Sequence, residues 1–210
     1  NVVKDLKEFA GVGHRVVNGG EIFKDSALID QKKLQQIFDL GELAPLHNIP
    51  EATGIKAFME TIPSVPQVAV FDTSYHTSLD PIHYLYSIPY KYYKEDSIRK
   101  YGAHGISVEY VARRAARMMG KNPNIVKLIV CHLGSGASVT AVKNGKSFDT
   151  SMGFSPLTGV TMGTRSGDFH PSALQQLMHK NNMSIDDAID MLNHESGLLG
   201  ISGVSSDMRD

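Results

Sequence analysis

Apolar residues alternate with polar ones in short runs and recur every three to four positions in longer ones, so the chain reads as a mixture of strands and helices. Residues 12–17, VGHRVV, form a strand that turns at Gly19-Gly20. Asp30 is placed to cap a helix with Leu34, Ile37 and Phe38 on one face and Gly41 as its stop. Pro50 suits the first turn of a second helix over residues 50–61, with Ile55, Phe58 and Met59 inward. Pro63 and Pro66 then break the chain, and residues 67–71, QVAVF, read as a short buried strand ending on Asp72. The Tyr- and Pro-rich stretch 75–101 has little periodicity and reads as an ordered connection.

Ser107 is expected to cap the next helix, with Val108, Val111, Ala112, Ala115 and Met118 on one stripe and Gly120 as terminator. Residues 127–132 read as a buried strand, 134–138 as a glycine-rich turn and 139–143 as a second strand. Asn144-Gly145 is a tight hairpin turn and 146–149 a third strand. Helices follow over 171–181 and 184–193, the second with a Ser184/Asp187 capping signal. The loose alternation predicts an α/β chain, and the hairpins argue against a purely parallel sheet.

Composition changes this picture little. With 210 residues, 41% hydrophobic and 20% charged, the chain suits one large domain or two small ones. A net charge of −1 gives no electrostatic case for nucleic acid or a membrane surface. The densest basic group, Arg113, Arg114 and Arg117, fits one helix face. Cys131 is the only cysteine, so no internal disulfide is expected, and a reducing, cytoplasmic location fits. No apolar run approaches the ~18–20 residues of a membrane helix, and residues 1–9 do not read as a signal peptide. Both ends read as cut: no initiator Met opens the chain, and it stops after the glycine- and serine-rich 203–210.

The candidate chemistry sits beside glycines. In G-S-G-A-S (134–138) the backbone can approach a phosphate closely, and Ser135 and Ser138 add hydroxyl donors. This turn joins strand to strand and lacks the lysine of a P-loop, so it resembles the phosphate-clamping hairpins of actin-like ATPases. A plain glycine hairpin is the alternative. Asp72, at a strand end, could handle Mg²⁺ or a proton, or merely cap the following turn. Arg15 and Arg165 could grip a carboxylate or phosphate bidentately, and His104 and His132 could donate to oxygens that gain charge. Each also has a bland explanation, as a surface, loop or core residue. A zinc site is discounted because the nine histidines show no ligand spacing. Taken jointly, a phosphate cradle, a carboxylate, two Arg and two His suggest phosphoryl transfer.

These segments resemble the acetate kinase family, within the acetate and sugar kinase, heat-shock ATPase and actin superfamily. The matching runs are V-G-H-R-V-V-N-G-G-E (12–21), L-A-P-L-H-N (43–48), V-A-V-F-D-T (68–73), Y-G-A-H-G (101–105) and C-H-L-G-S-G-A-S (131–138). D-T-S-M-G-F-S-P-L-T-G-V-T-M-G-T-R-S-G-D (149–168) and S-G-L-L-G-I-S-G-V-S-S-D-M-R-D (196–210) continue the series. The resemblance implies an actin-like (ribonuclease H-like) two-lobe kinase fold, incomplete at both ends, with residues 1–72 in the N-terminal lobe and 73–210 in the C-terminal lobe.

It further implies ATP-dependent phosphorylation of acetate to acetyl phosphate by direct in-line transfer, with Mg²⁺ (or Mn²⁺) and a homodimer. Arg15 and Arg165 would bind the carboxylate and the phosphoryl group in flight, Asp72 would act on the acyl substrate and the metal, and His104 would bond the phosphoryl. His132 with Gly134, Ser135, Gly136 and Ala137 would line the nucleotide phosphates, and Asp207, Met208 and Arg209 the adenosine. Val17, Leu46 and Pro156 would wall the acetate methyl.

The sequence departs from the family pattern at four places. Asn18 replaces a common His, with little effect expected. Ser135 replaces a common Asn of the phosphate turn, Ile106-Ser107-Val108 replace Thr-Ser-His, and Ala103 stands where many members have Phe. A propionate or butyrate kinase is the neighbouring alternative, and a non-catalytic or catalytically incomplete nucleotide-binding module the more distant one.

Overall fold

The computed structural model describes residues 5–210, apart from the side chains of Lys7 and Leu46. Two small sheets organise it. In the first, β1 (Val12–Val16) pairs in parallel with β3 (Gln67–Phe71), and the two-residue β2 (Ala27–Leu28) lies antiparallel on the other side of β3. Parallel neighbours need a crossover, and α1 (Gln31–Asp39) and α2 (Pro45–Thr61) supply it. The side chain of Asp30 accepts the Lys33 N–H, so the expected cap forms. Val16, Ile37, Ile55, Ala69 and Phe71 close the first core, with Phe23 stacked on Phe71 at 4.4 Å.

The second sheet is the antiparallel meander of β4 (Lys127–Leu133), β5 (Ala137–Lys143) and β6 (Lys146–Thr150). Asn144 and Gly145 both have positive φ, as a two-residue hairpin demands. The helix α5 (Gly105–Met118) packs Val108 and Ala112 on Val130 and Val142 of this sheet. Along the chain, α3 (Pro81–Tyr84) and α4 (Lys91–Asp96) lie between β3 and α5. The chain then adds α6 (Pro171–Asn181), α7 (Ile185–His194, with the Ser184/Asp187 capping box) and α8 (Gly197–Ser202). No helix among the described residues is long and apolar enough to cross a membrane.

Several expectations need correction. The second helix starts at Pro45, so Pro45 holds the first-turn position and Pro50 lies inside. Phe58 is exposed, its ring edge-on to His14 at 5.5 Å. Gly41 does not stop α1; it lies within a 3₁₀ turn, Leu40–Glu42, that continues it. Ser107 is not a cap, because α5 already begins at Gly105 behind His104. Val111 and Met118 of the expected stripe are exposed. The first strand of the meander buries only Val130 and exposes Ile129, because α5 packs on the face that carries Val130 and alternate side chains point to the opposite face. The stretch 75–101 is not purely a connection, because it contains α3 and α4.

Candidate active site

Parallel pairing of β1 and β3 brings their C-terminal ends side by side, with Arg15 opposite Val70 and the Asp72 N–H donating to the Val16 carbonyl. Arg15 therefore reaches Asp72 with two donors, Nη2 at 2.5 Å and Nε at 3.3 Å. The carboxylate is 2% exposed, while the Arg15 side chain keeps 60% of its surface open. A guanidinium held on one edge and open on the other can still bind a second anion. The Asp72 bond and charge raise the Arg15 pKa above its usual value against the opposing effect of burial.

His104 stands across from this pair. Its backbone is left-handed at φ 62°, and the Gly105 N–H donates to the Asp72 carbonyl at 2.9 Å. The imidazole Nδ1 lies 3.0 Å from Ser138 Oγ on β5, and the ring stacks on His132 at 4.0 Å. His132, opposite Ser138 in the β4–β5 register, in turn meets Ser107 Oγ at 2.9 Å. Burial pushes His104 down to about 4; His132, Arg15 and Arg165 push the same way and Asp72 opposes them. The ring is neutral near pH 7, a hydrogen-bond donor without charge.

The glycine-rich turn closes the third side. A Cβ on Gly136 would lie 3.3 Å from both Arg165 Nη1 and His104 Nε2, so the bare backbone passes between the two side chains. Arg165 Nη1 donates to the Pro156 carbonyl at 3.2 Å, and burial lowers the Arg165 pKa. Beneath it, Ala103, Ala137, Met152 and Met162 form a small core. Gly163 N–H donates to the Ser135 carbonyl, and a Cβ on Gly163 would lie 3.3 Å from the Ser206 carbonyl, so the 205–209 turn borders the glycine-rich turn.

Arg15, Asp72, His104, His132, Gly136 and Arg165 are thus brought together, with Gly134, Ser135 and Ala137 completing the loop. Asp207, Met208 and Arg209 lie further out; Asp207 and Arg209 pair at 2.5 Å, and Met208 is 81% exposed. Val17 is buried and donates its N–H to Glu51 Oε2 at 2.9 Å. Pro156 enters through its carbonyl, and the Leu46 side chain lies outside the described residues.

Two residues of this neighbourhood escaped the sequence reading: His47 and Glu51, four apart on α2. Burial and the charges of Arg165 and Arg15 lower the His47 pKa. Burial raises that of Glu51, with the Val17 N–H and Arg15 opposing. The i, i+4 spacing would have flagged them, had the helix not been started at Pro50. Asn18, a departure from the family pattern, is buried and exchanges two hydrogen bonds with Asn48: its N–H donates to Asn48 Oδ1, and Asn48 Nδ2 donates to its carbonyl.

Among the described residues no group of three or more His, Cys, Asp or Glu could enclose a metal ion. Asp72 and Glu51 are the two carboxylates whose charges act on Arg15, and both Asp72 oxygens accept from that guanidinium.

Comparison with known proteins follows the same outline. The model of the Acetokinase family matches residues 1–210. Acetate kinase of Limosilactobacillus fermentum is 56% identical over 209 residues, covering 100% of this chain and 52% of that protein. Acetate kinase of Bacillus subtilis is 54% identical, with 53% of its length covered. Crystal structures of Porphyromonas gingivalis acetate kinase (TM-score 0.93, 40% identity, 99% of this chain and 52% of that one) and a Francisella tularensis propionate kinase (TM-score 0.93, 45%, 97% and 52%) share the fold. The chain spans about half the length of the curated relatives it matches.

Proposed function

The chain belongs to the acetokinase family, and on that premise we propose that the protein transfers the γ-phosphoryl group of ATP to acetate, forming ADP and acetyl phosphate. The observation that carries this reading is the convergence of Arg15, Arg165 and the neutral His104 beside Asp72 and the Gly136 turn.

An acetate oxygen bonds to the γ-phosphorus while the bond to the β,γ-bridging oxygen breaks, and ADP leaves with that electron pair. Acetate is ionised at neutral pH, so its attack requires no general base. The site accordingly offers cations and donors instead. Arg15, fixed by Asp72, binds the carboxylate; Arg165 faces the charge on the phosphoryl oxygens; and His104, with Nδ1 on Ser138, donates from Nε2. The backbone from Gly134 to Ala137 cradles the nucleotide phosphates, with 207–209 on the adenosine side. Mg²⁺, when bound with the nucleotide near Asp72, would neutralise phosphate charge.

In this reading residues 1–72 belong to the N-terminal lobe and 73–210 to the C-terminal lobe, which also forms a homodimer in the cytoplasm, and the lobes close over substrate. Propionate is the second acceptor to consider: Ala103 is small, 2% exposed and next to His104, and a Francisella tularensis relative is named a propionate kinase. A methylene contact changes discrimination by only ~1–3 kcal/mol. The test is a panel of acetate, propionate and butyrate with Mg-ATP and the full-length protein, reading ADP release and acyl hydroxamate after hydroxylamine trapping. Acetate-dependent hydroxamate is expected. ADP release without any trapped acyl phosphate overturns the reading.

A further inference from the structure

One buried histidine has no part in the chemistry above. His76, in the turn Ser74–Ser78 that follows Asp72, is 1% exposed. Its Nε2 lies 2.9 Å from the Ala103 carbonyl and its Nδ1 2.8 Å from Ser147 Oγ on β6. A carbonyl only accepts, so Nε2 carries the proton. Burial pushes the ring's pKa down to about 4, so it is neutral at pH 7 and its Nδ1 accepts from the Ser147 hydroxyl. One tautomer is thereby selected, and it ties the turn after β3 and strand β6 to the segment that precedes His104.

The fit is close. Gly102, at φ 74°, passes close to the ring: a Cβ there would sit 2.8 Å from His76 Cδ2. His104, one residue past the anchored carbonyl, holds φ 62°, a region that residues with a Cβ seldom occupy. Such a residue persists only where its surroundings over-determine it. Here His76 fixes Ala103 on one side and the Asp72 carbonyl fixes Gly105 on the other. Both restraints issue from residues 72–76, so the strand end that supplies the carboxylate also sets the aim of the facing imidazole.

We propose that His76 is a positioning residue for phosphoryl transfer, its Nε2–H on the Ala103 carbonyl holding His104 in the left-handed conformation that directs its imidazole at Gly136 and Arg165. The inference rests on the reading of His104 as a donor to the phosphoryl group.

The experiment uses the full-length enzyme with H76Q, which retains a donor, and H76L, which does not, each in wild-type and H104A backgrounds. For H76L, kcat should fall by about 100-fold, the scale of a small misplacement at a reacting centre, with KM for acetate within about threefold. H76Q should restore most of kcat, and H76L should cost little more once His104 is gone. Equal losses in the two backgrounds would overturn the proposal. Imidazole NMR of His104 gives a readout independent of turnover: its resonance should move in H76L and stay near its wild-type position in H76Q, and an unmoved resonance in H76L sinks the idea. If H76L does not fold, S147A, which removes the hydroxyl that holds Nδ1 and so the orientation of the His76 ring, takes its place in both arms. If the wild-type enzyme forms no acyl phosphate, the functional reading fails, while the NMR arm still decides whether His76 positions His104.

Discussion

The Gly105 N–H donates to the Asp72 carbonyl at 2.9 Å, and a Cβ on Gly105 would lie 2.2 Å from that same oxygen. The residue after β3 that carries the carboxylate and the helix that starts behind His104 are therefore in direct backbone contact, a contact only glycine permits. G105A should destabilise by about 1–3 kcal/mol, as overpacking does, and lower kcat by separating Asp72 from His104. Gly54, within α2, has nothing within 4 Å of an added Cβ. G54A should stabilise by about 0.5–1 kcal/mol. Urea midpoints of the two variants check the contrast, which would disappear if glycine merely suited both helices.

The Arg15–Asp72 pair should show strong coupling. R15A leaves the Asp72 carboxylate, 2% exposed, without its guanidinium. About 1–3 kcal/mol of stability should be lost, below the range for fully buried pairs because Arg15 is largely open. Turnover should drop at least ~100-fold. Adding D72N to R15A should recover part of the stability and none of the activity, and additive stability losses in a double-mutant cycle would contradict the coupling.

The pH dependence follows from His76 and His104, both with folded pKa values near 4. In the unfolded chain a histidine titrates near 6.5. Between those values the unfolded state binds more protons, so stability is full above about pH 6.5 and falls as pH drops towards 4. The slope should be shallower in H76Q. For the reaction, kcat should show no inflection near pH 6.5 arising from His104; an inflection there that vanishes in H104A would mean the ring titrates as a cation. Thermal melts and initial rates over pH 4–8 check both.

Asn48 is fully buried and bridges α2 to the loop after β1 through the backbone of Asn18. N48A should cost about 1–3 kcal/mol because it leaves a buried N–H and a buried carbonyl without partners. N48D retains the acceptor but sets an unpaired buried carboxylate against the Asn18 carbonyl, and should be at least as destabilised as N48A in chemical denaturation at pH 7.

Much of this was legible in the chain. The strand QVAVF, the Asn144-Gly145 hairpin, the Asp30 and Ser184 caps and the glycine terminator at 120 are local devices whose physics is complete within a few residues. The same holds for the α/β class, and the glycines beside His, Arg and Asp are local patterns that marked the candidate residues. What local patterns miss are relations across distance. The helix start at Pro45 depended on the fold, and the spacing of His47 and Glu51 became meaningful only with it.

Ser107 has the right type for a helix cap, yet its hydroxyl serves His132, because His104 had already turned the chain to contact Asp72. Ile129 looked like core until the packing of α5 on one face of the meander left the side chain on the other. The sequence by itself determined which residues could do the chemistry and which short elements would form, because propensity, capping and turn geometry act over one to four positions. Only the tertiary structure decided that Arg15 would meet Asp72 across 57 positions, that His104 would stack on His132, and that His76 would stand behind both. Those meetings depend on sheet register and on the packing of segments distant in the chain, which no local pattern encodes.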